Sequence, residues 1–183
     1  MALNSTVYKA ELQVSDMDRH YYATHPLTLA RHPSETEERL MVRVLAYALF
    51  ADERLEFGKG LSQDDEPDLW QKDYTGDILL WIELGQPDET RVRKACGRAR
   101  HVVVITYGGQ AAEVWWAKSS AALARHKNLS VLDIPPETVQ QLVGLSERSM
   151  RLQVLVQDGE LQLMGEQSAV AVQPTKRLIA ADN

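Results

Sequence analysis

The stretch GDILLWIELGQPDE, residues 76–89, decides the fold of this chain. Its first part, DILLWIEL, is a run of strand-forming and mostly apolar residues, and its last part begins a helical segment. Successive side chains of a strand point to opposite faces, so Asp77, Trp81 and Glu83 share one face. Apart from Asp77 and Glu83, the side chains on that face are apolar and suited to a buried core. The position of Glu83 near the end of a buried strand therefore calls for a partner.

The pattern that follows this strand is typical of a parallel sheet. Two further apolar runs, HVVVITY at 101–107 and LSVLDI at 129–134, alternate with helical segments at 87–100 and 110–126. Apolar strands that alternate with helices indicate parallel pairing through right-handed crossovers. We therefore predict an α/β core in which the strand at 77–84 is one member.

The two ends of the chain add strands and helices to this core. TVYKAELQV at 6–14 and HYYATHPLTLA at 20–30 predict an antiparallel hairpin, and Asp158-Gly159 within RLQVLVQDGELQLM predicts a second. A short helix is predicted at about 136–145. The prediction is thus a three-layer α/β fold, a mixed sheet flanked by helices with an N-terminal β-hairpin, in one domain over residues 1–183.

A longer helix is predicted between the first hairpin and the core. Ser34 is the N-cap candidate because Glu37 lies three residues further on, which is the spacing of a capping box. Apolar residues of helical period then continue to about Ala51. On the helical wheel Glu38 falls within the apolar stripe, whereas Arg39 and Arg43 fall on the opposite side.

Composition limits the classes of function. The chain has 183 residues, 44% of them hydrophobic, and a net charge of −6. No run approaches the ~20 apolar residues of a membrane span, and no secretory signal is evident. We therefore expect a cytoplasmic protein that is not associated with a membrane. A single cysteine, Cys96, excludes an internal disulfide. The acidic balance argues against nucleic-acid binding over the whole surface but leaves room for a local basic patch.

The acids around the central strand predict a metal site. Asp77 and Glu83 stand roughly 20 Å apart on a straight strand, so they cannot share one small ion. Glu37 is accounted for as a cap, but Glu38 is not. The loop before the strand supplies four more acids: Asp64, Asp65, Glu66 and Asp68. Carboxylates that converge repel each other unless a cation joins them, and oxygen ligands of this kind favour Mg²⁺ or Mn²⁺.

The order of these acids, a helix Glu, an acidic loop and a strand-end Glu, resembles that of PD-(D/E)XK nucleases. The chain is similar to the YaeQ family over essentially its whole length. Three blocks carry the similarity: LARHPSETEERLMVRVLAYALFADERL at 29–55, DDEPDLW at 64–70, and LWIELGQPDE at 80–89 followed by a basic helix. The resemblance implies a variant of the PD-(D/E)XK fold.

Carried onto this sequence, the resemblance makes Pro67-Asp68 a literal PD, fifteen residues before Glu83 at the (D/E) position. Asp65 or Asp77 could equally be the aspartate. The Lys position falls on Gly85, which has no side chain. This departure puts cleavage in doubt.

Substitutes for that lysine are present nearby. Gln86 could hydrogen-bond the attacking water, and a cation could reach in from the next helix through Arg91 or Lys94. Arg91, Lys94 and Arg98 also form a basic stripe that suits phosphate binding, and Arg31 beside His32 could orient a phosphate.

Three functional hypotheses follow. The first is a Mg²⁺- or Mn²⁺-dependent nuclease or phosphodiesterase acting on nucleic acid. Its metal ligands would be Glu38, Asp65, Asp68 and Glu83, with Gln86 and Lys94 as further catalytic residues. The second is a catalytically inactive nuclease fold that binds protein or nucleic acid as an adaptor. The third is a purely structural salt-bridge network of the acids with Arg31, Arg39 and Arg43, which the outward position of Arg39 and Arg43 weakens.

Overall fold

The structure is a computed structural model that describes residues 4–59 and 65–181. Asp64 of the acidic loop lies outside the described residues. So does the end of a short strand that the sequence RLEFGKGLS predicts at 54–62. The chain divides into two compact units, one formed by residues 1–51 with 137–173 and the other by residues 52–136 with 174–183. The single domain over residues 1–183 stays a prediction.

Eleven strands and four helices are formed by the described residues, in this chain order: β1 Thr6–Asp16, β2 Tyr21–Arg31, α1 Glu37–Leu49, β3 Leu55–Phe57, β4 Leu69–Lys72, β5 Ile78–Leu84, α2 Glu89–Arg98, β6 Ala99–Thr106, α3 Gln110–Leu123, β7 Leu129–Asp133, α4 Pro136–Val143, β8 Ser149–Gln157, β9 Glu160–Met164, β10 Ala169–Val172 and β11 Thr175–Leu178. The mixed α/β class is confirmed. The prediction of a single sheet is wrong, because the strands form two separate mixed sheets.

The first unit contains a five-stranded sheet in the order β10-β9-β8-β1-β2. Both predicted hairpins are present, since β1 runs antiparallel to β2 and β8 to β9. Asp158 and Gly159 form the second turn, with φ angles of 53° and 77°. The N-terminal hairpin is not an addition to the parallel core, because β1 pairs in parallel with β8 instead.

Helix α1 begins and ends slightly inside the predicted bounds. Thr36, not Ser34, is the N-cap, and its hydroxyl accepts a hydrogen bond from the backbone N–H of Arg39 at 3.1 Å. Ser34 bonds the ring of His32 instead. The helix is buried at every position from 40 to 48, so the side predicted to face solvent, which carries Arg43, is also covered.

The second unit contains a six-stranded sheet in the order β11-β7-β6-β5-β4-β3. Strands β5, β6 and β7 are parallel, as predicted, with Glu83 opposite Val104. β4 runs antiparallel to β5 on one side, and β11 runs antiparallel to β7 on the other. The sequence analysis did not predict β4, β10 or β11, which are each four residues long.

One face of this second sheet is covered by α2 and α3. Val92 and Ala95 from α2 and Leu123 from α3 join a buried cluster that contains Trp70 and Trp81, whose rings meet edge to face at 6.0 Å. Glu83 shares the face of Trp81, so it projects toward α2. No helix in residues 4–59 and 65–181 has the length and apolar character needed to cross a membrane.

Candidate functional site

The carboxylate of Glu83 is buried, 4% exposed, and is held by two side chains. The indole N–H of Trp81, two residues earlier on the same face of β5, donates to Oε1 at 2.9 Å. The guanidinium of Arg91 donates to the same oxygen from Nε at 2.8 Å, and its Nη2 lies 2.8 Å away as well. All three contacts converge on Oε1, and Oε2 takes part in none of them.

The start of α2 places Arg91 against Glu83. Asp88 is the N-cap of this helix, and its Oδ1 accepts a hydrogen bond from the backbone N–H of Arg91 at 2.8 Å. The side chain of Arg91 also donates from Nη2 to the backbone carbonyl of Glu66 at 2.9 Å. On the other side of this segment, Trp115 of α3 donates to the carbonyl of Pro87 at 2.8 Å. Hydrogen bonds at Pro87, Asp88 and Arg91 therefore fix the turn between β5 and α2.

Asp68 is the aspartate whose charge acts on Glu83. It directly precedes β4, and its Oδ2 accepts a hydrogen bond from the backbone N–H of Leu84 at 2.8 Å. Burial is the main cause that raises the pKa of Glu83 above its ordinary value. The hydrogen bond from Arg91 opposes that rise, and the negative charge of Asp68 adds to it. Asp68 and Glu83 are thus two interacting acids at one end of β5.

Of the other two candidate aspartates, Asp77 lies at the opposite end of β5, whereas Asp65 lines the cleft beside Arg91. Asp77 belongs to the turn that enters β5 at its opposite end, where its backbone N–H donates to Asp73 Oδ1 at 3.0 Å. Asp65 is exposed, and its backbone carbonyl accepts a hydrogen bond from Arg98 at 2.9 Å. Its role as a metal ligand stays a prediction.

The position where the resemblance expects a lysine has a backbone that favours glycine. Gly85 has a φ of +96°, in the region where a side chain would be strained, and its N–H donates to the carbonyl of Ile105 at 2.8 Å. The next residue, Gln86, is exposed and its amide lies so close to Gly108 that a Cβ there would meet it at 2.5 Å. Its role in positioning water stays a prediction.

A cleft of about 1030 Å³ opens beside this pair of acids. Trp81 and Arg91 line it together with the exposed side of α2, and Arg98 lies over the ring of Trp81 with 4.9 Å between its guanidinium carbon and the ring centroid. The lining residues are Asp65, Trp81, Asp88, Thr90, Arg91, Lys94, Ala95, Gly97 and Arg98. The basic stripe predicted on this helix therefore faces one cavity, which suits an anionic ligand.

Two predicted site residues, Glu38 and Arg31, belong to the first unit. Glu38 is partly exposed in the first turn of α1. Arg31 donates to the hydroxyl of Tyr8 at 3.0 Å and to the carbonyl of Glu35 at 3.0 Å. The metal-binding role of Glu38 and the phosphate-binding role of Arg31 stay predictions.

No role was predicted for Glu35, a buried acid of the first unit. Its Oε2 accepts from Arg39 at 2.6 Å and its Oε1 from Arg43 at 2.7 Å. The prediction that Arg39 and Arg43 lie on the outer side of the helix, which weakened the salt-bridge hypothesis, is wrong for Arg43, because this residue is buried and pairs with Glu35. The signal was the spacing of Glu35 to Arg39 and Arg43, i to i+4 and i+8, which continues the helical face backwards past the N-cap.

The residues at the end of β5 are suited to a magnesium-like ion rather than to a closed metal cage. In residues 4–59 and 65–181 no group of three or more His, Cys, Asp or Glu side chains is placed to hold a metal ion. Asp68 and Glu83 provide two carboxylates. Mg²⁺ is commonly bound by one or two carboxylates, with water and substrate phosphates completing its shell. Two acids beside a cleft that Arg91, Lys94 and Arg98 help to line would fit that pattern.

Comparison with known proteins identifies the group to which this α/β fold belongs. The family model described as YaeQ protein matches residues 1–174. Curated relatives named "Uncharacterized protein YaeQ" from Escherichia coli strain K12 and Salmonella typhi are 45% and 46% identical over 176 residues, which is 96% of this chain and 97% of each relative. The chain belongs to the YaeQ family.

Solved structures agree with this assignment. The crystal structure of the YaeQ protein from Xanthomonas axonopodis pv. citri has a TM-score of 0.92 and 60% identity, and it covers 97% of this chain and 99% of its own. The YaeQ protein from Pseudomonas syringae gives a TM-score of 0.91 at 37% identity, covering 96% and 97%. The fold described above is therefore similar to that of these two family members.

Proposed function

We propose that this protein is a Mg²⁺- or Mn²⁺-dependent phosphodiester hydrolase that acts on nucleic acid. The observation that supports the proposal is the meeting of Asp68, Glu83 and Arg91 at the carboxyl end of β5. The cleft beside them is lined by three cationic and two acidic side chains: Arg91, Lys94, Arg98, Asp65 and Asp88. The order of Asp68, Glu83 and Arg91 also matches the resemblance to PD-(D/E)XK nucleases. Ligands of open α/β sheets commonly bind at the carboxyl ends of the strands.

Each residue of this site has a chemical task in the proposed reaction. Asp68 and Glu83 hold the ion through their carboxylate oxygens. When bound, the ion supplies a water of lowered pKa and neutralises charge on the phosphate. Arg91 provides the positive charge that Gly85 cannot. Lys94 and Arg98 bind flanking phosphates of the substrate backbone.

The test is cleavage of labelled single-stranded DNA, double-stranded DNA and RNA, with Mg²⁺ or Mn²⁺ and with a chelator. The wild-type protein should cut at least one of these in the presence of the metal and none with the chelator. Glu83→Gln and Asp68→Asn should each remove the cutting. Asp77→Asn, at the opposite end of β5, is the matched control and should keep it. Cutting that survives Glu83→Gln unchanged would overturn the assignment.

One observation favours a second candidate, an adaptor without turnover. Glu83 is already bonded by Arg91 and Trp81, and residue 85 carries no lysine. Such a protein would bind nucleic acid in the cleft, or a protein partner, without a metal. Affinity for oligonucleotides that is equal with metal and with chelator, falls steeply with salt and drops on Lys94→Ala, all without cleavage, would support this candidate.

A further inference from the structure

The side chain of Arg91 lies at the boundary between a buried acid and an open cavity. Its guanidinium bonds Glu83 on one side and the carbonyl of Glu66 on another, and the same residue lines the cleft. The side chain is 28% exposed, whereas that of Glu83 is 6% exposed. Arg91 can therefore be reached by a ligand in the cleft, whereas Glu83 is largely shielded.

We propose that Arg91 is a latch that couples the binding of nucleic acid to the binding of the metal ion. A phosphate of the substrate backbone enters the cleft and takes the Arg91 guanidinium from Glu83. The released carboxylate then becomes available, with Asp68, to the cation. This inference rests on the proposed function, because it assigns a regulation to the same site.

The physical basis is a competition for one carboxylate. A guanidinium held at Oε1 of Glu83 and a cation bound to the same carboxylate oppose each other, since both are positively charged and the carboxylate carries a single negative charge. The planar fork of arginine binds phosphate in two-point geometry as well as it binds a carboxylate, so exchange of partner leaves its donors satisfied. The bond from Trp81 to Oε1 holds Glu83 in orientation during the exchange.

Such coupling must be reciprocal, because each ligand changes the affinity for the other by the same factor. Without a phosphodiester the site binds the cation weakly, and without the cation it binds the phosphodiester weakly. Replacement of Arg91 removes the competitor permanently. The metal site is then open, and it loses the part of its response to nucleic acid that depends on Arg91.

The experiment is a Mn²⁺ titration followed by electron paramagnetic resonance, with and without a short oligothymidylate that is verified to stay intact. Glu83→Gln, titrated with the same oligonucleotide, subtracts the Mn²⁺ that does not depend on Glu83. For the wild type the oligonucleotide should raise the Mn²⁺ affinity by a factor between about 5 and 150, the usual range of such couplings. Arg91→Ala should bind Mn²⁺ more tightly than the wild type without oligonucleotide and show a smaller rise with it.

Two further variants control for charge and folding. Arg93→Ala removes an exposed arginine from the same helix that does not line the cleft, and it should keep the rise. Arg91→Lys keeps the charge but lacks the two-point fork, and it should keep only part of the rise. An equal rise in the wild type and in Arg91→Lys would overturn the latch, and so would an unchanged affinity in the wild type.

A second readout needs no metal. The indole N–H of Trp81 shares Oε1 with Arg91, so addition of the oligonucleotide alone should shift its signal in a ¹H–¹⁵N spectrum, assigned with Trp81→Phe. An unchanged Trp81 signal in the presence of bound oligonucleotide would overturn the latch.

The Mn²⁺ titration distinguishes failure of the latch from failure of the proposed function. If Glu83→Gln binds Mn²⁺ with the same affinity as the wild type, both with and without the oligonucleotide, the proposed function fails. If Glu83→Gln weakens binding but the coupling is absent, the latch alone fails.

Discussion

Two buried glutamates of this chain, Glu35 in the first unit and Glu83 in the second, are both 4% exposed and both bonded to arginine. Glu35 is closed, because each of its oxygens accepts from a different arginine, Arg39 or Arg43. Glu83 is open, because its donors crowd onto one oxygen, a second acid lies nearby and its arginine lines a cleft. We therefore expect the Glu35 pair to contribute more to stability than the Glu83 pair does.

The largest effect that this comparison predicts is the loss of the closed pair. Glu35→Ala leaves two arginines of the first unit without their carboxylate, and Arg43 is itself buried. Removing one partner of a buried ion pair commonly costs about 3–5 kcal/mol in the free energy of unfolding. Urea denaturation measures this loss. Glu37→Ala, an exposed acid two residues away, is the control and should change stability by no more than about 0.5 kcal/mol. Equal small effects of both changes would remove the distinction between closed and open.

A smaller effect is expected at the open pair. A double-mutant cycle of Glu83→Ala and Arg91→Ala should give a coupling of about 1.5–3 kcal/mol, the usual value of a hydrogen bond to a charged group. Glu83→Ala alone should cost less than Glu35→Ala, because burial and Asp68 already make the charged form of Glu83 unfavourable. The four proteins are compared by urea denaturation at one pH. A cost of Glu83→Ala larger than that of Glu35→Ala would show that Glu83 is a structural residue first.

The sequence predicted the parts of the fold that local patterns determine. Apolar strands alternating with helices predicted the parallel core around 77–84, and Asp158-Gly159 predicted its hairpin. The two-sheet arrangement was missed because the pairing of β1 with β8 joins distant segments, and no local period records it. Short strands such as β4 were missed for a related reason, since four residues carry too little alternation to separate a strand from a turn.

Part of the candidate site could also be predicted from the sequence. The position of Glu83 near the end of a buried strand indicated an acid in need of a partner, and α2 was named as the source of a cation. The position of Asp68 against the backbone of Leu84 could not be predicted, because it depends on the pairing of β4 with β5, which sets Leu69 opposite Ile82. Glu35 was passed over because Arg39 and Arg43 were placed on the solvent side of the predicted helix, whereas the structure buries every position from 40 to 48.

A third prediction uses the pH dependence of stability. Because the pKa of Glu83 is raised above its ordinary value of 4.5 in the folded protein, the folded state binds more protons than the unfolded state in the interval above 4.5. Stability from this group is therefore complete below pH 4.5 and is lost as the pH rises through the folded pKa. The slope cannot exceed about 1.4 kcal/mol per pH unit for one proton.

The measurement is urea denaturation of the wild type and Glu83→Gln at a series of pH values. Glutamine does not titrate, so the variant should lack this loss, and the wild type should fall relative to it as the pH rises. Asp133, whose pKa is also raised by burial, is present in both proteins and cancels from the difference. A difference that grows in the opposite direction would mean that Arg91 outweighs burial and that the pair is closed after all.

The smallest expected change in the free energy of unfolding is at Asp68, and its direction is more informative than its size. Asp68→Asn removes the negative charge that raises the pKa of Glu83, and the amide oxygen can still accept the hydrogen bond from the backbone of Leu84. We expect the variant to be more stable than the wild type at neutral pH, by up to about 0.5 kcal/mol, while it loses the proposed cutting. Asp65→Asn, whose charge is not among the causes acting on Glu83, should leave stability unchanged. An acid retained for structure would give the reverse, a loss of stability on removal. A gain at Asp68 beside a large loss at Glu35 would therefore separate a carboxylate held for chemistry from one held for the fold.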